Sequence, residues 1–377
     1  MDRFIHMKKI TFNYAKNHIK LWYFYGLVLV CFILSGCNKN QNEIDEQCRS
    51  GVVLIINQWY YTIDIPGLQT FYFSADDNKV HHVEFDPELV GNCVMAATGT
   101  GFFISEDGKI ATNRHVASST VDEHVLKLAT NEIINEIITI IENNNKELEN
   151  LINQNKFEYA KSTNRDDKIR LIQMNDEIEN EKNKNNEIIR SLNRTHAEYA
   201  DIKYISDLYV ALNMTFVNSY EDLYKCTLLG VMEEREKDLA IIQMNSKETP
   251  SRAYIFDVPA KDMLKHYSFG EFLSKNMGSD KNEELYMIGF NLGFDLAQTS
   301  EGIYSQCTKG TVSQNVGGVE HIQYSVPAEH GSSGSPLLNR RGQLVAINYA
   351  GVPDAPNFNF GVKEKYLYEL IQRLKNR

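Results

Sequence analysis

The sequence predicts a mainly β protein with a long antiparallel helical hairpin set into it, behind an export leader. Three observations carry this reading. Short runs rich in β-branched and aromatic residues, punctuated by turn dipeptides, recur over residues 51–112 and 207–349. From about Val125 to Tyr204 there is neither Gly nor Pro, and apolar residues repeat at helical spacing. Ahead of both lies a basic and then apolar segment with the order of a targeting signal. The chain has 377 residues, 42% of them hydrophobic, enough for a packed core in one or two domains. Its formal net charge of −11 argues against a nucleic-acid partner, which requires a basic surface.

The leader comes first. Lys8, Lys9, Lys16 and Lys20 precede Leu21–Leu34, an almost wholly apolar run short for a membrane span. It ends in Leu34-Ser35-Gly36-Cys37, which resembles the lipobox of bacterial lipoproteins. That resemblance implies cleavage before Cys37, acylation of its thiol, export, and a lipid anchor in the bacterial cell envelope. The competing reading is an uncleaved signal anchor, which also exports the chain. Residues 1–36 are thus expected to be a signal peptide. Residues 37–49, polar from Asn38 to Glu46, are expected to be a flexible tether. Six cysteines are present; with Cys31 in the leader and Cys37 acylated, Cys48, Cys93, Cys226 and Cys307 remain, bridged or free.

Strands are expected at Val52–Ile56, Trp59–Ile63 and Thr70–Ser74, the last two separated by the Pro66-Gly67 turn. Phe102–Ser105 and Lys109–Thr112 flank Asp107-Gly108, a strong hairpin signal. His81 and His82, adjacent on a strand, point to opposite faces and do not make a joint metal site. In the Gly-free stretch one apolar set runs Ile134, Ile137, Ile141, Leu148, Leu151, and a second runs Leu171, Met174, Ile178, Ile188, Leu192. Folding about Ser162-Thr163-Asn164 sets Leu148 opposite Ile178 and Asn144 close to Asn185, a matched polar layer that fixes register. β-type runs resume at Asp207–Val217, Leu223–Val231, Leu239–Met244, Glu284–Phe290, Gly310–Ser313, Ile322–Val326 and Gln343–Tyr349. Lys363–Arg377 reads as an amphipathic helix with Leu367, Leu370, Ile371 and Leu374 on one face.

Three segments carry chemistry. Gly331-Ser332-Ser333-Gly334-Ser335-Pro336-Leu337 offers a hydroxyl on a tight turn whose glycines allow backbone N–H groups to face a developing oxyanion. A serine needs a base to remove its proton, and His115, in Ala111-Thr112-Asn113-Arg114-His115-Val116, is the candidate. The base needs a carboxylate to fix its tautomer, and Asp238 opens the apolar run Asp238-Leu239-Ala240-Ile241-Ile242.

Together and in this order the three segments resemble the trypsin-like peptidases, in particular the bacterial HtrA and glutamyl-endopeptidase branches. Thr98-Gly99-Thr100-Gly101-Phe102 before Asn113-Arg114-His115 adds to the likeness, as do Ile288–Gly293 and Gly310–Ser313. The resemblance implies a double β-barrel: residues 50–125 and 205–250 form the first barrel, 126–204 a coiled-coil insertion, and 251–377 the second barrel with a C-terminal helix. It implies a serine endopeptidase with His115 as base, Asp238 as its orienting partner and Ser333 as nucleophile. The N–H groups of Gly331 and Ser333 form the oxyanion hole, and no metal or organic cofactor is involved. Protein or peptide is the substrate, the membrane is contacted through lipid on Cys37, and the helical insertion is a place for a protein partner. The stretch between His115 and Asp238 is longer than in the family, the insertion accounting for the excess. Asn348 stands where glutamyl endopeptidases place a substrate-facing His, and Ala328 near the primary specificity pocket, so both are expected to contact substrate. The absence of that His, and of an Asp near Ala328, favours a small or apolar side chain over Glu, Lys or Arg. No Ile-Val-Gly-Gly activation site and no PDZ module are expected. The alternative is an idle protease fold acting as an envelope scaffold through its coiled coil.

Overall fold

The computed structural model describes residues 38–76, 79–118, 130–194, 199–264, 283–314, 320–352 and 355–376. The leader and Cys37 lie outside the described residues. The fold is two six-stranded antiparallel β-barrels with an inserted helical pair.

The first described element is not a tether. α1 (Gln41–Cys48) begins on a capping box in which the Asn40 side chain accepts from Glu43 N while the Glu43 carboxylate accepts from Asn40 N. It buries Ile44 and Cys48 completely. β1 (Val52–Asp64) runs through both expected strands without a break, and β2 (Phe71–Asp76) and β3 (Lys79–Glu84) follow it. β4 (Met95–Phe103) and β5 (Lys109–Thr112) form the hairpin at Gly108, whose φ of +79° suits glycine. A single turn, α2 (Arg114–Ala117), then leads toward the helical pair α3 (Thr130–Lys161) and α4 (Arg165–Leu192). β6 (Asp201–Leu212), β7 (Tyr224–Val231) and β8 (Ala240–Met244) complete a sheet of order β3-β2-β1-β4-β5-β8-β7-β6, closed by the pairing of β1 with β6.

The second barrel uses β9 (Glu284–Gly289), β12 (Gln306–Gln314), β13 (His321–Tyr324), β14 (Pro336–Asn339), β15 (Leu344–Val352) and β16 (Ala355–Lys363). It closes in the order β12-β13-β16-β15-β14-β9. Between β9 and β12 lie α5 (Gly293–Ala297) and the two-residue strands β10 (Gln298–Thr299) and β11 (Gly302–Ile303). α6 (Glu364–Lys375) ends the chain and buries Tyr366, Leu367 and Leu370.

The chain divides into two compact units. The larger holds residues 1–55, 98–113 and 210–377, with a core that includes Val52, Phe102, Ile241, Ile288, Leu338 and Val362. The smaller holds residues 56–97 and 114–209, where Ile133, Ile134, Ile137 and Leu192 at the base of the helical pair pack with Tyr61, Phe71 and Phe73.

The hairpin tip falls at residues 162–164, as expected, but the seam is in a different register. Asn185 Nδ2 donates to Asn145 Oδ1 at 2.9 Å, Asn145 Nδ2 to Asn186 Oδ1 at 3.2 Å, and Asn155 Nδ2 to Asn175 Oδ1 at 3.0 Å. Lys182 pairs with Glu149. The pairing lies about one helical turn from the expected one, and Asn144 is exposed. An apolar stripe that recurs every turn tolerates such a slip, whereas a bonded asparagine layer selects one register.

Candidate active site

The loop Gly331–Ser335 leads directly into β14. Gly331 and Gly334 have φ of +89° and +88°, the left-handed region that side chains with a Cβ disfavour. A Cβ on Gly331 would lie 2.4 Å from Phe290 O, and one on Gly334 would lie 2.1 Å from Thr100 O. The loop is thus pressed onto the ends of β4 and β9. Its backbone donors divide into two sets. Ser332 N donates to Glu329 O at 3.0 Å, Gly334 N to Asn348 O at 2.9 Å, and Ser335 N to Ser332 O at 3.0 Å. The N–H groups of Gly331 and Ser333 have no acceptor among the described residues. Ser333 itself is half-buried, and its hydroxyl makes no hydrogen bond among the described residues.

Two buried side chains hold this loop. Thr100 N donates to Ser333 O at 2.8 Å, Thr100 Oγ1 donates to Gly331 O at 2.8 Å, and Phe290 N donates to Thr100 Oγ1 at 3.0 Å. Thr112 Oγ1 in turn donates to Thr100 O at 2.7 Å, tying β5 to the same point. From the other side, Asn348 Nδ2 donates to Ser332 O at 2.8 Å and lies 2.9 Å from Ser332 Oγ, while Asn348 Oδ1 accepts from Tyr324 OH at 2.5 Å. Ser332 Oγ donates to Glu329 O at 2.6 Å. Tyr324 is fully buried, which pushes its phenol pKa far up and keeps it a donor.

Asp238 ends a short 3-10 turn and is 6% exposed. Its carbonyl accepts from Asn113 Nδ2 at 2.8 Å, while β5 and β8 pair beside it, Thr112 opposite Ala240. Asp238 is therefore held at the end of β5, and the Thr112–Thr100–Ser333 bonds join that end to the Gly331–Ser335 loop. His115 lies two residues beyond Asn113, in α2 of the smaller unit, and is half-buried. Asn348, expected at a substrate contact, is 2% exposed with both ends of its amide used inside the protein. Ala328 is half-buried and packs against the second-barrel core that includes Tyr324 and Val326.

A shallow cleft of about 410 Å³ lies beside Gly331, lined by Thr98, Leu292, Asp295, Leu296 and His330. Leu292 has a left-handed backbone (φ +60°), is 52% exposed, and donates its N–H to His330 O at 2.6 Å. Gly293 follows at φ +59°, where a Cβ would meet Thr98 Oγ1 at 2.2 Å. The sequence carried one signal for this cleft, Asn291-Leu292-Gly293, and none for the clamp formed by Thr100 and Asn348.

Cys48, Cys93, Cys226 and Cys307 are free thiols. Burial pushes Cys48, Cys226 and Cys307 up to about 12 and Cys93 to about 11, so all four remain protonated at neutral pH. Among the described residues no three of His, Cys, Asp and Glu gather as metal ligands.

Among solved structures, the chain is similar to the serine endoprotease from Yersinia pestis at 12% identity and a TM-score of 0.41. The alignment covers 90% of this chain and 67% of that one. In sequence, residues 210–347 match the trypsin-like peptidase domain family, a span that holds Asp238 and Ser333 and begins after His115.

Proposed function

We propose that this chain is a serine endopeptidase that works through an acyl-enzyme and is exported and held at the bacterial envelope by lipid on Cys37. The observation that carries the enzymatic reading is the donor pattern of the loop. Three of its N–H groups are tied into the fold, while those of Gly331 and Ser333, flanking Ser332, have no acceptor among the described residues. Two N–H groups without an acceptor among the described residues, beside a serine hydroxyl that makes no hydrogen bond among them, suit the oxyanion of acyl transfer. The family match over residues 210–347 and the chain order His115, Asp238, Ser333 support the same reading.

In this reaction Ser333 Oγ attacks the scissile carbonyl carbon and His115 takes its proton. Asp238 orients the imidazole and stabilises its charged form. The carbonyl oxygen becomes an oxyanion and is met by the N–H groups of Gly331 and Ser333. The tetrahedral adduct collapses, the C–N bond breaks, and His115 returns the proton to the leaving amine. Water, deprotonated by His115, then attacks the ester and releases the acid. Thr100 and Asn348 are positioning residues, acting through the loop they hold. Ala328 stands at the entrance to the primary specificity pocket, which takes a small or apolar side chain.

Labelling by a fluorophosphonate probe at neutral pH tests the assignment. The parent is expected to label on Ser333, and Ser333→Ala and His115→Ala to lose that labelling. A parent that does not label, or a Ser333→Ala variant that still does, overturns it.

A scaffold role for the helical hairpin has its own support. Leu151, Phe157, Ile169, Ile172 and Met174 are exposed along it, more apolar surface than a solvated hairpin needs. Replacing residues 150–180, beyond the part of the pair that packs in the core of the smaller unit, by a short linker is expected to spare hydrolysis of small peptides and to slow turnover of a protein partner. Unchanged rates on both substrates would remove this role.

A further inference from the structure

The segment after Cys37 has no slack. Lys39 N donates to Arg340 O at 2.7 Å, in the turn between β14 and β15. Asn40 caps α1, Gln41 Nε2 donates to Cys307 O at 2.6 Å, and Ile44 and Cys48 are fully buried. Only Asn38 separates Cys37 from Lys39. Two residues of chain reach no more than about 7 Å, so anything attached to Cys37 starts that close to the Arg340 turn.

The turn carries two consecutive cations, Arg340 and Arg341, in a chain whose net charge is −11. Lys309 Nζ and Arg340 Nε both reach the Glu284 carboxylate, at 2.5 Å and 2.7 Å. Tyr286 OH donates to the same carboxylate at 2.9 Å and lies 3.5 Å from Lys39 O. Lys309 and Arg340 therefore share one acid, while the Lys39 ammonium donates to Gln47 Oε1, and Lys309 and Arg340 are 50% and 39% exposed. Such a cluster attracts anionic lipid headgroups.

The geometry points to a domain seated directly on the membrane through the β14–β15 turn, its cleavage site held at a set height above the headgroups. This rests on the reading of Cys37 as acylated. β14 runs from the loop bearing Ser333 to the turn at Arg340. Seven residues at about 3.3 Å each place Ser333 no more than about 23 Å from that turn. With the two residues back to Cys37, Ser333 stays within about 30 Å of the acylated sulfur. The substrates this geometry selects are juxtamembrane segments of other envelope proteins, not chains that remain far from the bilayer.

Energy transfer tests the seating without relying on activity. The full acylated chain is placed in vesicles of phosphatidylethanolamine and phosphatidylglycerol carrying an acceptor dye on the headgroup. A donor dye is attached to Asn42→Cys on α1 or to Glu329→Cys beside the nucleophile loop, both exposed positions. Transfer from position 42, close to the anchor in sequence, is expected to exceed that from 329. A ten-residue Gly/Ser insert between Cys37 and Asn38 adds about 17 Å of reach and is expected to lower both signals. Equal transfer from the two positions, or signals unmoved by the insert, overturns the seating while leaving the anchor intact. The mass of the N-terminal peptide is read in parallel, and a peptide without acyl chains on Cys37 removes the anchor reading and the seating with it. Single-span reporters carrying one cleavable segment at graded heights test the substrate class. Cutting is expected within about 30 Å of the bilayer, and equal cutting at every height overturns it.

Discussion

Asn348→Ala separates two roles that the amino acid sequence does not distinguish, substrate contact and support of the Gly331–Ser335 turn. The side chain donates to Ser332 O at 2.8 Å and accepts from Tyr324 OH at 2.5 Å, at 2% exposure. Truncation leaves the fully buried Tyr324 hydroxyl without its acceptor, at about 1–3 kcal/mol. Ser332 O keeps the bond from Ser335 N at 3.0 Å, so loss of the amide there adds only about 1 kcal/mol. The expected destabilisation is therefore about 2–4 kcal/mol, read as a lower urea midpoint at unchanged slope. Tyr324→Phe strands the other end of the same bond and is expected to cost about 1–2 kcal/mol. In the double variant neither group is stranded, so the two effects should fall short of additivity by about 1–2 kcal/mol.

Activity is expected to follow the same geometry. Ser332 stands between the two N–H groups that have no acceptor among the described residues, so a loop displaced by a fraction of an ångström shifts both at once. Fluorophosphonate labelling should slow by about 10–100-fold, for small and large probes alike. A substrate-contacting Asn348 would instead change discrimination among side chains and leave stability within about 0.5 kcal/mol of the parent. That result, or full additivity with Tyr324→Phe, would refute the positioning role.

Gly334→Ala places a Cβ 2.1 Å from Thr100 O at a φ of +88°, and strain plus overpacking should cost about 2–4 kcal/mol in urea unfolding. Glu364, fully buried, has its carboxyl pushed by desolvation from 4.5 up to about 8. The folded state then holds a proton that the unfolded state releases, so the contribution of Glu364 to stability is fully present below about pH 4.5 and is lost by about pH 8. Glu364→Gln, which can still accept from Met263 N, should flatten the urea midpoint across that window; an unchanged slope would refute the assignment. Asn185→Leu removes a side chain that is 1% exposed and whose Oδ1 has no partner among the described residues. It should raise the helix melting temperature while loosening register, read by disulfide trapping between α3 and α4. Cys48, Cys93 and Cys226, all buried, should resist iodoacetamide in the native state and react after unfolding; rapid native alkylation of these three would contradict their burial.

What was legible in the sequence follows from how locally each feature is determined. The Asp107-Gly108 hairpin and the Gly331–Gly334 turn are set by backbone conformations that few residues adopt, and both lie where expected. The helical pair shows through its apolar period, but a period cannot choose between registers one turn apart, and Asn145 rather than Asn144 meets Asn185. β16 escaped notice because it is rich in Pro, Asn and Gly and becomes a strand only by pairing between β13 and β15. α1 escaped because a polar octet with two apolar residues reads as a tether until a barrel is there to bury Ile44 and Cys48.

The candidate site shows the same division. Serine, glycine and histidine advertise chemistry by type and order, whereas Thr100 and Asn348 matter only through partners 231 and 16 residues away. The two kinds of residue also differ in what replaces them. A nucleophile tolerates almost no substitute, because its reactivity is that of one atom. A clamp tolerates any side chain that returns the same donor and acceptor at the same distance. Asn348→Asp should therefore fail, since a carboxylate facing Ser332 O offers no donor, while Asn348→His retains a donor and an acceptor and should recover part of the labelling rate. Recovery by His but not by Asp is the signature of a residue that acts through the backbone of Ser332 and not on the substrate.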